Sequence, residues 1–224
     1  MNISPNMFLS NISGIGSMLR TSSAISGRGR TGSNASYAAA NAKYNVNNYY
    51  NRQAVGYTNI GSSAESLRST AASFSSKNST NVFSIARKNG TTVGLLSQAK
   101  EMVTSYNNTL KGLSQTPSSL NRVYGQMMQN TFRENKDSLK SIGITVNKDN
   151  TISLNEKRFR EAGVDQIEKT LGADAGFSSR IEFVSENAAN NAIRNATGFA
   201  GQYNLNGAYV SALLGAGSRF NFWS

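Results

Sequence analysis

This chain of 224 residues contains no cysteine and no histidine. Without cysteine there is no disulfide framework, no thiolate zinc site and no thiol nucleophile. Without histidine the commonest general base and metal ligand is also missing. Proline is nearly absent, at Pro5 and Pro117 alone, and hydrophobic residues make up only 38%, low for a compact chain. No run approaches the ~20 apolar residues that a membrane-spanning helix needs. A secretory signal is not expected either: Met7-Phe8-Leu9 is too short an apolar core, and no charged residue precedes it. Ser, Lys, Tyr and twelve carboxylates remain for chemistry. No nucleophile elbow, Walker loop or metal-ligand cluster arranges them. Gly14-Ile15-Gly16 and Gly27-Arg28-Gly29 are glycine pairs without a strand–helix context. The expectation is a protein that is not an enzyme, with no catalytic residue, no cofactor and no metal site.

The charge is uneven. The net charge is +11; residues 1–92 carry nine Lys and Arg against the single acid Glu65, so most of it lies there. Those cations are scattered, with only Arg28–Arg30 and Arg87–Lys88 close together. Two readings follow: a solvated, basic, soluble segment, which is favoured, or a binding module that meets nucleic acid or an anionic surface through counterion release. No nucleic-acid motif accompanies the charge.

The fold class expected is mainly α: an antiparallel helical hairpin with a short β-hairpin and further helices, behind a flexible Ser/Gly/Asn-rich N-terminal region. Residues 1–60 read as largely disordered, with a loose helix at best over 37–55, where alanines favour helix and asparagines oppose it. Residues 61–92 read as a short amphipathic helix and a linker. Ala64, Leu67, Ala71 and Phe74 share one helical face, and Val82-Phe83-Ser84-Ile85 suggests a short strand. From Val93 the pattern is regular. Leu96, Ala99, Val103, Tyr106, Leu110 and Leu113, spaced three and four apart, form a seam along a helix of about six turns. Pro117 interrupts it. A second helix over about 118–141 has Leu120, Tyr124, Met127, Met128, Phe132, Leu139 and Ile142 as its apolar face. The packing or assembly seam therefore comprises the six residues of the first helix with Tyr124, Met128 and Phe132.

The period then changes to two. Ile142, Ile144 and Val146, then Ile152 and Leu154, flank the turn cluster Asn147-Lys148-Asp149-Asn150, which signals a β-hairpin. Asn155 can cap a following helix that ends at Gly163. Val164, Ile167 and Leu171 mark another helical stretch, closed by Gly172. A helix from Phe177 presents Ile181, Val184, Ala188 and Ala192 on one face and fades near Thr197-Gly198. Residues 198–224 form a Gly-rich tail with a short helix over 208–214 and an aromatic terminus, Phe220-Asn221-Phe222-Trp223.

Three segments resemble one known family. Met102-Val103-Thr104-Ser105-Tyr106-Asn107-Asn108-Thr109-Leu110 is similar to a helix with an apolar-x-x-Tyr-Asn core. Leu139-Lys140-Ser141-Ile142-Gly143-Ile144-Thr145-Val146, followed by Asp149 to Glu156, is similar to a signature in which Ile-Gly-Ile-Thr, a turn and Leu-Ser-Leu lead into a capped helix; here Ile142, Gly143, Ile144, Ile152 and Leu154 carry it. Gly176-Phe177-Ser178-Ser179-Arg180-Ile181 resembles the start of the next helix. Together, over residues 93–197, they resemble the C-terminal domain of the bacterial flagellar filament-cap protein, hook-associated protein 2. The resemblance implies a secreted structural or self-assembling protein of the bacterial flagellum, exported without a cleaved signal peptide, with protein partners or self-association and flagellar components as candidate partners. A cytoplasmic location is the alternative. That family pairs its first helix with its last in a coiled coil. Residues 1–60 lack a Leu-rich pattern and residues 198–224 are Gly-rich, so such a pairing is not expected in this chain.

Overall fold

The computed structural model describes the backbone of residues 34–201 and the side chains of residues 48–199. The chain divides into two compact units, Met1–Tyr49 with Gly201–Ser224, and Tyr50–Ala200. Of the first unit, the described part is helical, residues 34–49 and 201, with side chains at 48 and 49 alone. The N-terminal segment 1–33 and the tail with its predicted helix and aromatic terminus lie outside the described residues.

The fold is mainly α with one two-stranded antiparallel sheet. The helices are α1 (Asn34–Ser75), α2 (Val82–Asn89), α3 (Val93–Gln115), α4 (Ser119–Glu134), α5 (Lys136–Ser141), α6 (Glu156–Leu171) and α7 (Phe177–Gly201). Strands β1 (Ile144–Val146) and β2 (Ile152–Leu154) follow α5, with Ile144 opposite Leu154 and Val146 opposite Ile152.

The expectation of disorder up to residue 60 fails over 34–60, where the chain is the first part of the 42-residue α1. Tyr57, Ile60, Ala64, Leu67, Ala71 and Phe74 are all buried. Their spacing of three, four, three, four, three is an unbroken heptad seam. Asn51 and Gly56 before these positions, and Asn59 and Gly61 among them, lower the intrinsic helix propensity, but packing of the seam outweighs that cost. α1 runs antiparallel to α3: Gly56 lies against Thr116, Gly112 against Ile60, and Ser73 Oγ donates to Gln98 Oε1 at 3.2 Å. It also runs antiparallel to α7. Ser75 Oγ donates to Glu182 Oε2 at 2.6 Å, Ala64 packs with Ala188 and Ala189, and Tyr57 stacks on Phe199 with centroids 5.6 Å apart. The pairing of an early helix with the last described helix, not expected from the sequence, is thus present. It uses aromatic, Ile and Ala side chains in place of leucines.

The strand expected at Val82–Ile85 is also corrected: these residues begin α2. Asn81 Oδ1 accepts from the backbone N–H groups of Phe83 and Ser84, at 3.1 and 2.9 Å, and Gly90 ends the helix in the left-handed region. Four residues are too few to separate a period of two from one of 3.6. The single second helix expected over 118–141 is two, α4 and α5, parted at Asn135. On α4 the buried residues are Asn121, Gly125, Met128, Thr131 and Phe132. Leu120 and Met127, expected on the apolar face, are exposed instead.

Asn155 caps α6 as expected, its Oδ1 accepting from Arg158 N–H at 3.0 Å. Gly163 interrupts the helical geometry with φ 71°, but the chain resumes the helix up to Leu171. Ile181, Val184, Ala188 and Ala192 are buried on α7, which continues past the expected end to Gly201.

Candidate functional site

Two of the segments singled out by sequence, the Tyr-Asn core of α3 and the hairpin, meet at the junction of α3 with the hairpin. Tyr106 and Asn107 are adjacent on α3, so their side chains diverge by about 100° around the helix. Tyr106 is fully buried; its ring lies 4.2 Å from that of Phe132, which meets Phe177 edge-on at 5.0 Å. Its hydroxyl donates to the Asn150 carbonyl at 3.0 Å, reaching the hairpin turn. Asn107 acts on β2. Its Nδ2 donates to the Ile152 carbonyl and its Oδ1 accepts from the Ile152 N–H, both at 2.9 Å. One side-chain amide thus stands in for the strand that would otherwise complete that edge of β2.

The other edge of the junction is set by Gly143. Its φ is +86°, and a Cβ placed there would lie 2.7 Å from the Asn155 carbonyl oxygen. Glycine alone meets both conditions. The Asn155 N–H donates to the Gly143 carbonyl at 2.8 Å, closing the base of the hairpin just before α6 begins. Ile142, Ile144 and Ile152 are buried beneath, and Leu154 is half-buried against the same core.

Electrostatics here support structure. Burial pushes the Tyr106 phenol well above its ordinary value, offset slightly by Arg133. The Asp149 carboxylate is held below its usual range by the Thr151 hydroxyl and then the Thr151 N–H, at 2.6 and 3.0 Å, which rigidifies the turn. Glu156 is lowered by its hydrogen bond from Lys100 at 2.7 Å, an ion pair that ties α6 to α3.

The seam residues are placed as follows. Leu96, Ala99, Tyr106, Leu113, Met128 and Phe132 are buried, and Val103, Leu110 and Tyr124 are half-buried against them. All nine therefore pack inside the chain. Sequence reading missed Leu95, Met102 and Thr109, which are also buried on α3. They face inward because α3 is covered by α1 on one side and by α4 and β2 on the other, so its buried arc is wider than one seam. It also missed Asn121, buried in the loop-side turn of α4. Its Nδ2 donates to the Thr116 carbonyl, and its Oδ1 accepts from Asn191 Nδ2 at 3.3 Å. An asparagine at an otherwise apolar position was the available signal.

Elsewhere, a shallow open groove between α2 and the end of α6 is spanned by Arg87, which pairs with Asp165 at 2.8 Å and with Glu168. Among the described residues no group of three or more Asp or Glu side chains is placed to hold a metal ion. No described helix is long and apolar enough to cross a membrane. No protein-family model, curated protein or solved structure matches this chain.

Proposed function

We propose that this chain is a non-enzymatic structural protein of the flagellar export-and-assembly kind, working through helical packing. The observation that carries the reading is the Tyr106–Asn107 grip on the hairpin. The apolar-x-x-Tyr-Asn helix and the Ile-Gly-Ile-Thr hairpin, two of the segments that resemble the filament-cap family, are joined by three hydrogen bonds of 2.9–3.0 Å. Motifs separated by some forty residues thus act as one unit, which gives each a physical reason to accompany the other. The antiparallel pairing of α1 with α7, the first and last helices among the described residues, supports the same reading, because the resemblance implies a paired early and late helix. The side-chain polar groups of Tyr106 and Asn107 are engaged in holding hairpin backbone, in keeping with a structural part.

The test is export. The tagged full chain is followed in its native host with the flagellar export gate intact or deleted. It is expected in the culture supernatant only with the gate intact. Equal amounts in both strains, or retention in both, would overturn the proposal.

A further inference from the structure

The outer faces of α4 and α7 carry an apolar strip and a charge pattern that the described residues leave exposed. On α7, Phe183, Glu186, Asn190, Arg194 and Thr197 are all exposed; their spacing of three, four, four, three puts them in one stripe. Phe183 is 59% exposed. On the neighbouring α4, Leu120, Val123 and Met127 repeat at three and four and are 51%, 45% and 36% exposed. The two helices lie side by side and antiparallel, as Arg180–Glu134 at 3.0 Å and Asn191–Asn121 at 3.3 Å establish. Their outward faces therefore form one surface.

We infer that this surface docks a second copy of the same chain, antiparallel, about a two-fold axis passing near Asn190. Charge selects the occupant and the direction. Glu186 and Arg194 sit four positions either side of Asn190. Neither forms an ion pair among the described residues, and Arg194 bonds only the Asn190 carbonyl of its own helix. Arg68, a cation that feels Glu186 through space, is already held by both oxygens of Glu65. Two antiparallel α7 stripes centred on Asn190 set Glu186 of each copy against Arg194 of the other, giving two equivalent pairs, as an isologous interface requires. A parallel arrangement would set like charges together. In the antiparallel one, each Phe183 falls opposite Thr197 of the partner helix.

The area sets the strength. Fifteen residues of two helices ~9 Å apart give a footprint of roughly 400 Å² on each copy, well short of the ~800 Å² per partner of a stable interface. The dimer is therefore weak, with Kd on the order of tens of micromolar or more.

This inference rests on the structural-assembly role in the preceding reading and names a partner and a surface for it. Sedimentation equilibrium of the full chain from about 10 µM to about 1 mM tests it. The wild type is expected to dimerise with increasing concentration. Phe183→Glu is expected to remove the dimer. Glu186→Arg and Arg194→Glu alone are each expected to weaken it about tenfold or more, and the double exchange to restore it. All three positions changed are exposed, and circular dichroism checks that the helices persist. A wild type that stays monomeric throughout, or single and double exchanges that associate alike, overturns the inference. A monomeric chain that still needs the export gate to leave the cell overturns the dimer alone; an intact dimer with gate-independent release overturns the functional reading alone.

Discussion

Replacing Asn107 with alanine isolates the contact that joins α3 to the hairpin. The substitution removes two hydrogen bonds of 2.9 Å and leaves both backbone groups of Ile152 without their partner. Ile152 is only 2% exposed, so little solvent reaches its backbone. An unsatisfied buried backbone group costs about 1–3 kcal/mol. Asn107 itself is half-buried, so water recovers part of that, and the expected loss is about 2–4 kcal/mol. Alanine's better helix propensity returns only a few tenths of a kcal/mol or so. In urea, with a slope near 2 kcal/mol per molar, the unfolding midpoint should fall by roughly 1–2 M with the slope unchanged. Hydrogen exchange gives a second readout, since the Ile152 amide should lose protection relative to amides within α3. A stability loss below about 0.5 kcal/mol together with unaltered Ile152 protection would refute the role assigned to Asn107.

Four further outcomes follow from the same structure. Gly143→Ala should cost about 2 kcal/mol or more, from positive-φ strain and the approach to the Asn155 carbonyl, measured as a lower thermal midpoint. Phe132→Ala should cost about 3–5 kcal/mol, because the ring is fully buried between Tyr106 and Phe177; denaturant titration measures it. Burial raises the Tyr106 phenol above its ordinary 10.0, so the stability it contributes is full below that pH and is lost as pH rises above it. Unfolding midpoints from pH 8 upward should fall less steeply in Tyr106→Phe, though from a lower starting stability. Deleting residues 1–60 removes Tyr57 and Ile60 from the core. Calorimetry should show a lower melting temperature than that of the full chain, which loss of a disordered segment would not produce.

Periodic patterns were legible wherever they ran through residues of high helix or strand propensity. The α3 seam, the alternation over Ile142–Leu154, the Asn155 cap and the inward face of α7 all follow from spacing, because a helix or a strand repeats its buried positions at a fixed period. The seam of α1 was legible in part. Its spacing continues from Phe74 back to Tyr57, but asparagine and glycine between those positions mask it to a reading that weighs propensity. Val82–Ile85 was misassigned because its length decides nothing and its cap, Asn81, acts only once the chain turns there.

What the sequence determined by itself was therefore the class of the protein. A chain with scarce proline and helical seams around one short hairpin is mainly α whatever its packing. Only the tertiary structure decided which seams are covered and by what. α3 has a wide buried arc because three elements converge on it, α4 is turned so that Leu120 and Met127 face outward, and Asn107 serves as the missing edge of β2. Each of these depends on contacts between segments tens of residues apart. A local period shows that a face exists, but the choice of its partner is made by complementarity across the whole fold.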